Sequence, residues 1–306
     1  MQNPNTLNEH YAQPGLTFVE GAGGLVFAEV DNAQATASIC LQGAHVVTWT
    51  PKSETEPVIW VSDLAKYGPG KSIRGGVPIC WPWFGPHATE KAFPGHGFAR
   101  TVMWQVTGSE TLADGATRIK FMLAQNDQTR AQFAKACRAE LVVTVGAALG
   151  VELISTNLDT EPVEIGEALH TYYRISEIGD IRIAGLENTA YLDKVGEPTR
   201  RTQSGAVTCT GEVDRVYVDT EADCVIEDAR LGRRIRVAKT GSRSTVVWTP
   251  WQEKAEKMAD FGPGKQNQGG WREMVCVESG NALENVVSIA PGEAHVMAVR
   301  YSVERG

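Results

Sequence analysis

Apolar and polar residues alternate with a period of two along much of this 306-residue chain, the pattern of half-buried β-strands. It predicts strands at Ala35–Leu41, Val102–Val106, Ile119–Leu123, Ala139–Val145 and Val151–Asn157. Further strands are predicted at Ile181–Ala184, Cys224–Asp228, Arg234–Val237, Thr245–Thr249, Met274–Glu278 and His295–Val299. Each run is short, rich in Val, Ile, Thr and aromatic residues, and bounded by Gly, Asp, Asn or Pro. Arg230-Leu-Gly-Arg233 and Gly146–Gly150 read as hairpin turns between neighbouring runs. Helical signals are sparse. Gln252–Phe261 holds good helix formers and stops at Gly-Pro-Gly, and Asn126–Ala136 has room for a turn or two.

Many short, locally connected strands predict an all-β protein: a large antiparallel β-sandwich of two packed sheets with few short helices. No internal repeat and no Gly/Ser linker divides residues 1–306, so a single domain is expected, with residues 1–20 as a peripheral N-terminal segment. Hydrophobic content of 42% and charged content of 22% suit a soluble globule with a sizeable core. The net charge of -8 opposes binding to nucleic acid. No apolar run approaches the roughly 20 residues that span a bilayer, and the N-terminus lacks a signal-peptide pattern, so a cytoplasmic location is expected. The six cysteines form no C-x-x-C pair and are expected as free thiols. Six dispersed histidines without a metal-type spacing give the expectation of no metal and no cofactor. No exposed apolar helix stripe stands out, and a monomer is expected.

Candidate chemistry concentrates in Lys71–Arg100. This stretch places Arg74, His87, His96 and Arg100 among Trp81, Trp83 and Phe84, with five glycines and four prolines. Proline removes a backbone donor and glycine weakens regular elements, which predicts a long loop. Long loops inside compact domains carry function or are disordered, and this density of aromatic and cationic groups is not that of disordered chain. Flat apolar faces beside guanidinium groups suit a sugar ring bearing a phosphate or carboxylate. The alternative is a packed loop whose arginines cap carbonyls, or pair with Asp63 or Glu90. Trp83 is the preferred candidate to stack on substrate; Trp49, Trp248 and Trp251 read as core. His45 reads as structural, and Arg233, Arg234 and Arg236 as a solvated hairpin.

Two further positions bear on chemistry. Alternation through Glu167–Arg174 puts Ala168, His170, Tyr172 and Arg174 on one strand face. Glu278 shares a face with Met274 and Cys276, and a carboxylate there needs a partner or a raised pKa. Taken singly, either residue is more readily structural than catalytic.

In chain order, Q-G-A-H-V-V-T-W, S-I-R-G-G-V-P-I-C-W-P-W-F-G-P, H-G-F-A-R, E-A-L-H-T-Y-Y-R-I, V-V-W-T-P-W and V-C-V-E-S-G-N-A together resemble the glucose-6-phosphate 1-epimerase branch of the aldose 1-epimerase family, from about Gly24 to Val303. The resemblance implies a galactose-mutarotase-like β-supersandwich and cofactor-free interconversion of the α and β anomers of a hexose 6-phosphate. It implies His170 as general acid on the ring oxygen and Glu278 as general base on the anomeric hydroxyl. It implies substrate and phosphate contacts from Arg74 and Arg100, a sugar contact from His96 and, on a looser match, one from Asp214. Relatives often carry Gln where this chain has Gly95, which removes one side chain from the expected site.

Mutarotation opens a hemiacetal, rotates the aldehyde and recloses the ring. One proton must reach the ring oxygen while another leaves the C1 hydroxyl, and closure reverses both transfers. A histidine and a glutamate on opposite sides of the sugar ring meet that requirement. The expected partner is therefore a small sugar phosphate. The rival readings are a silent carbohydrate-binding sandwich, a mutarotase of an unphosphorylated aldose, and a glycoside hydrolase or lyase. A binder needs no acid–base pair, and hydrolysis normally uses two carboxylates.

Overall fold

A computed structural model describes residues 2–305. Its architecture is three antiparallel sheets and one short strand pair, with three short α-helices among the described residues. One eight-stranded sheet runs in the order Thr199–Thr202, Ala190–Asp193, Val213–Tyr217, Ser244–Thr249, Met274–Asn281, Glu167–Leu169, Ile79–Cys80, and Tyr172–Arg174 also pairs with Met274–Asn281. The other runs Arg182–Ala184, Cys224–Asp228, Arg233–Thr240, Ala294–Arg305, Leu149–Asn157, Cys137–Val145, Thr117–Leu123, Trp104–Thr111. Four hairpin-connected strands between Leu16 and Pro51 make the third sheet.

The inner faces of the two large sheets meet through buried contacts. Trp81 Nε1 donates to Ser155 Oγ at 3.0 Å, and the Thr171 and Tyr301 hydroxyls are 2.9 Å apart. One hydrophobic cluster runs through all three sheets, from Leu16 and Trp49 to Ile226 and Tyr301. This is the all-β sandwich that the alternation predicts, and all eleven predicted strands are present, Cys224–Asp228 with the same bounds and the rest with shifted ends. The two hairpin turns are present, and the helices occupy Trp251–Met258 and Asp127–Gln132. No helix is long and apolar enough to cross a membrane among the described residues.

Three expectations change. Of the segment 1–20, the described residues 2–20 are integrated more than a peripheral segment would be. The Pro4–Tyr11 helix, capped by the Asn3 side chain, buries Leu7, and Leu16–Glu20 pairs with Val26–Asp31. Arg233 is no solvated hairpin residue: its guanidinium meets Glu54 at 3.3 Å and donates to the carbonyls of Glu56, Pro57 and Arg174. A buried cation needs acceptors for its donors, and here both Nη atoms find them while the buried Nε has none. Arg174 turns away from His170 to pair with Glu273 at 2.6 Å. The six cysteines are buried and free.

Candidate active site

The Met274–Asn281 strand carries the centre of the site. Alternation turns Cys276 and Glu278 to one side. On the neighbouring chain, Leu169 pairs with Ser279 and Tyr172 with Cys276, so the same register sets His170 opposite Glu278. The ladder is interrupted there because the His170 N–H donates to Pro78 O at 2.9 Å. On the other flank Val246 lies opposite Glu278, Trp248 opposite Cys276, and Asp214 opposite Trp248. Sheet register thus gathers residues far apart in sequence over one surface.

That surface floors a cavity of about 390 Å³ lined by His170, Glu278, Arg74, His96, Arg100 and Asp214, together with Ser72, Phe84, Tyr172, Lys194, Trp248 and Lys254. Its size falls in the range of small-molecule sites. A wider hollow of about 530 Å³ lies beyond the Trp251–Met258 helix, bounded by Ala255, Phe261 and Trp271. It contains neither His170 nor Glu278, so the candidate acid–base residues belong to the smaller cavity.

His170 Nδ1 approaches Glu278 Oε1 to 3.4 Å, without an aligned hydrogen bond. Such proximity leaves no room for a sugar between the two groups, so they form one wall instead of flanking the ring. Both are buried, and Glu278 is only 1% exposed. Burial pushes the Glu278 carboxyl well above the ordinary range, and Asp214 adds to the rise while Lys194 and Arg100 oppose it. Burial holds His170 well below 6.5, and the positive charges beside it, Arg100 and Arg74 among them, deepen the depression. Burial thus disfavours the charged form of both groups and favours a neutral carboxyl facing a neutral imidazole.

The His170 ring lies parallel to Tyr172, centroids 5.0 Å apart and 9° between planes. The Tyr172 hydroxyl accepts from Arg74 Nη1 at 2.9 Å. Arg74 also meets Asp260 at 3.0 Å and lies over the Phe261 ring. Its partner is thus Asp260, neither of the two carboxylates expected. Arg100 donates to Gly95 O at 2.9 Å and has no acidic partner among the described residues. Lys194 is 3.6 Å from Asp214, and Lys254 pairs with Glu212 at 2.6 Å. Arg100 is the cavity cation least neutralised by its surroundings.

His96 is held at φ 66, a backbone region that non-glycine residues enter mostly under functional or packing constraint. Its Nδ1 accepts from the Gly85 N–H, so a neutral ring carries its proton on Nε2. Burial, followed by the charge of Arg100, pulls its pKa to about 3. Gly97 beside it has φ 71, and a Cβ there would lie 2.0 Å from Trp81 O, so only glycine fits. A Cβ on Gly95 would come no closer than 3.9 Å to its nearest neighbour, so a side chain at that position has space.

Trp83 does not line the cavity. Its indole donates to Pro94 O and its ring packs on His87, Phe93 and Phe98, so the loop's own aromatic cluster occupies it. Phe84 and Trp248 offer aromatic surface to the cavity instead. His45 is fully buried against Gly75 O, a structural position. Lys194, Lys254 and Asp260 escaped the sequence reading because isolated charges in loops and on a short helix carry no local signal. The same is true of a donor cluster: one atom each of His170, Cys276 and Glu278 lie within 4.8 Å of one another, a grouping that no linear spacing announces.

The family model described as Aldose 1-epimerase matches residues 28–302. An Escherichia coli protein named "Putative glucose-6-phosphate 1-epimerase" is 33% identical over 268 residues, 87% of each chain. A Cenchrus ciliaris protein of the same name is 33% identical over 266 residues, 84% of this chain and 78% of its own. The crystal structure of "a putative mutarotase" from Salmonella typhimurium superposes with a TM-score of 0.88 at 30% identity, covering 97% of this chain and 96% of the other. A galactose mutarotase-like protein from Lactobacillus casei shares the fold, with a TM-score of 0.69 at 15% identity, covering 91% of this chain and 100% of its own.

Proposed function

The chain belongs to the aldose 1-epimerase family, and from that membership we propose that it interconverts the anomers of a hexose 6-phosphate, without a cofactor, in a single supersandwich domain. The carrying observation is the His170–Glu278 contact of 3.4 Å at the floor of a cavity bearing Arg74 and Arg100. The ring oxygen and the anomeric hydroxyl are bonded to the same carbon, so two adjacent protein groups serve them better than two separated by a sugar.

Glu278 as carboxylate takes the proton of the C1 hydroxyl while His170 as imidazolium protonates the ring oxygen, and the C1–O5 bond breaks. Rotation about C1–C2 presents the other carbonyl face, and the reverse transfers close the ring. Each transfer contributes about 10²–10⁴-fold. The resting neutral pair and the working ion pair differ by one proton hop across a short gap. A phosphate beside Arg100 and Arg74 offsets the positive field that lowers His170, so a phosphorylated substrate favours the working form. His96 Nε2 and Asp214 offer a donor and an acceptor to sugar hydroxyls, with Phe84 and Trp248 as apolar surface.

Polarimetry of freshly dissolved α-glucose 6-phosphate tests the reading, with α-glucose and a disaccharide as controls. Faster relaxation of the phosphate than of glucose supports it. Equal specificity constants favour the unphosphorylated aldose, and disaccharide cleavage a hydrolase.

A further inference from the structure

Cys276 takes no part in the reaction proposed above, yet it lies in the same donor cluster as the acid–base pair. The strand's pleat turns its thiol to the side of Glu278, and register brings His170 across from the carboxylate. One donor atom from each of the three residues lies within 4.8 Å of the others, and all three side chains are buried. Two of these residues also present unsatisfied atoms: His170 Nδ1 and Glu278 Oε2 are buried without a hydrogen-bond partner. Buried polar atoms are rarely left unpaired, and these two point to a ligand.

We propose that His170, Cys276 and Glu278 form a chelating site for a thiophilic divalent cation of the zinc class, whose binding blocks the acid–base pair. An imidazole nitrogen, a thiolate and a carboxylate are a ligand set suited to zinc, which accepts three protein ligands and keeps a fourth position for water. Magnesium and calcium require oxygen donors and are disfavoured by the thiolate. The donors, within 4.8 Å of one another, must draw together around a shared cation, and His170 and Glu278 open the site to the sugar cavity. On binding, the Cys276 S–H and Glu278 O–H bonds break, both protons leave to solvent, and sulfur–metal and oxygen–metal bonds form, with no electron transfer. The cation takes the imidazole lone pair and the carboxylate oxygen that would otherwise exchange protons with the sugar. It acts as an inhibitor competing with substrate, not as a cofactor. Binding rests on the donor geometry alone; inhibition rests on the proposed reaction.

The test uses the full chain, freed of metal by a chelator and titrated with Cd²⁺ as an ultraviolet probe of thiolate ligation and with Zn²⁺ in the anomer-exchange assay. One equivalent of Cd²⁺ is expected to produce a thiolate-to-metal band that glucose 6-phosphate suppresses and that is lost in Cys276→Ser. Cys276→Ser is expected to retain basal exchange, while its inhibition by Zn²⁺ weakens by about tenfold or more. Cys276→Ala serves as a second variant should the serine disturb the buried strand. A band that persists in the variants, or equal zinc sensitivity of variant and wild type, overturns the site. The band also reads out binding in a protein with no anomer exchange, so failure of the proposed function and failure of this site are separable.

Discussion

His170 stands across the strand pair from Glu278, with its Nδ1 3.4 Å from the carboxylate Oε1. That gap is too short to admit a sugar, so in the proposed reaction the two act as one unit sharing a proton. Groups that act as a unit are non-additive when removed. His170→Asn and Glu278→Gln are each expected to slow anomer exchange by about 10²–10⁴-fold. The double variant is expected to be little slower than the worse single one. Fully multiplying losses in the double-variant rate constants would mean independent roles.

The two cavity arginines are expected to differ. Arg100 bonds only a carbonyl, whereas Arg74 already meets Asp260 and Tyr172. Losing a charged hydrogen bond costs roughly 1.5–3 kcal/mol, so Arg100→Ala is expected to weaken glucose 6-phosphate by about 10–100-fold while leaving glucose little changed. Arg74→Ala leaves Asp260 unpaired and is expected to lower thermal stability as well. Steady-state constants for both sugars, with melting curves, check this; a loss equal for both sugars in Arg100→Ala would contradict it.

In the proposed reaction, the 5.0 Å parallel stack of Tyr172 on His170 gives Tyr172 a positioning role. Aromatic pairs contribute about 0.5–1.5 kcal/mol beyond burial. Tyr172→Phe keeps the stack and loses the hydroxyl contact to Arg74, so its kcat is expected to stay near wild type with a raised KM for the phosphate. Tyr172→Leu loses the stack, and its kcat is expected to fall. A fall of kcat in Tyr172→Phe equal to that in Tyr172→Leu would assign the effect to the hydroxyl.

Acid is expected to destabilise the fold through histidines held neutral. Burial lowers His45 to about 4 and His96 to about 3, both below the ordinary imidazole value of 6.5. The unfolded chain then binds protons that the folded chain refuses. Stability from these groups is complete above about pH 6.5 and drains as pH falls toward 4 and 3. His45 alone accounts for roughly 3 kcal/mol. His295, raised by its bond to Glu167, acts in the opposite sense: its contribution is present below 6.5 and is lost as pH rises. Melting temperatures between pH 7 and pH 5 are expected to decline on balance; a flat profile would contradict the buried neutral state.

Much of this was legible from period-two alternation, because a strand with one buried face writes its register into the sequence. Shorter strands such as Glu167–Leu169 and Tyr172–Arg174 are buried on both sides and show no clean alternation. The Pro4–Tyr11 helix, with Leu7 as its one buried residue, has too narrow an apolar face to signal itself. At the site, motif blocks located His170, Glu278, Arg74, His96, Arg100 and Asp214, all of which line one cavity. Trp83 failed as a stacking candidate because sequence shows that an aromatic is present in the loop and not which neighbour its ring packs upon. The contact between His170 and Glu278 was equally hidden, since cross-strand register exists only in the folded sheet.

The most direct test of the acid–base pair is saturation transfer between the anomeric protons of glucose 6-phosphate at equilibrium, comparing wild type with Glu278→Gln at matched concentrations. Exchange that rises in proportion to wild-type enzyme and falls to the buffer rate with the folded variant is the expected result. Exchange at the buffer rate with both proteins, or equal acceleration by both, would contradict the account.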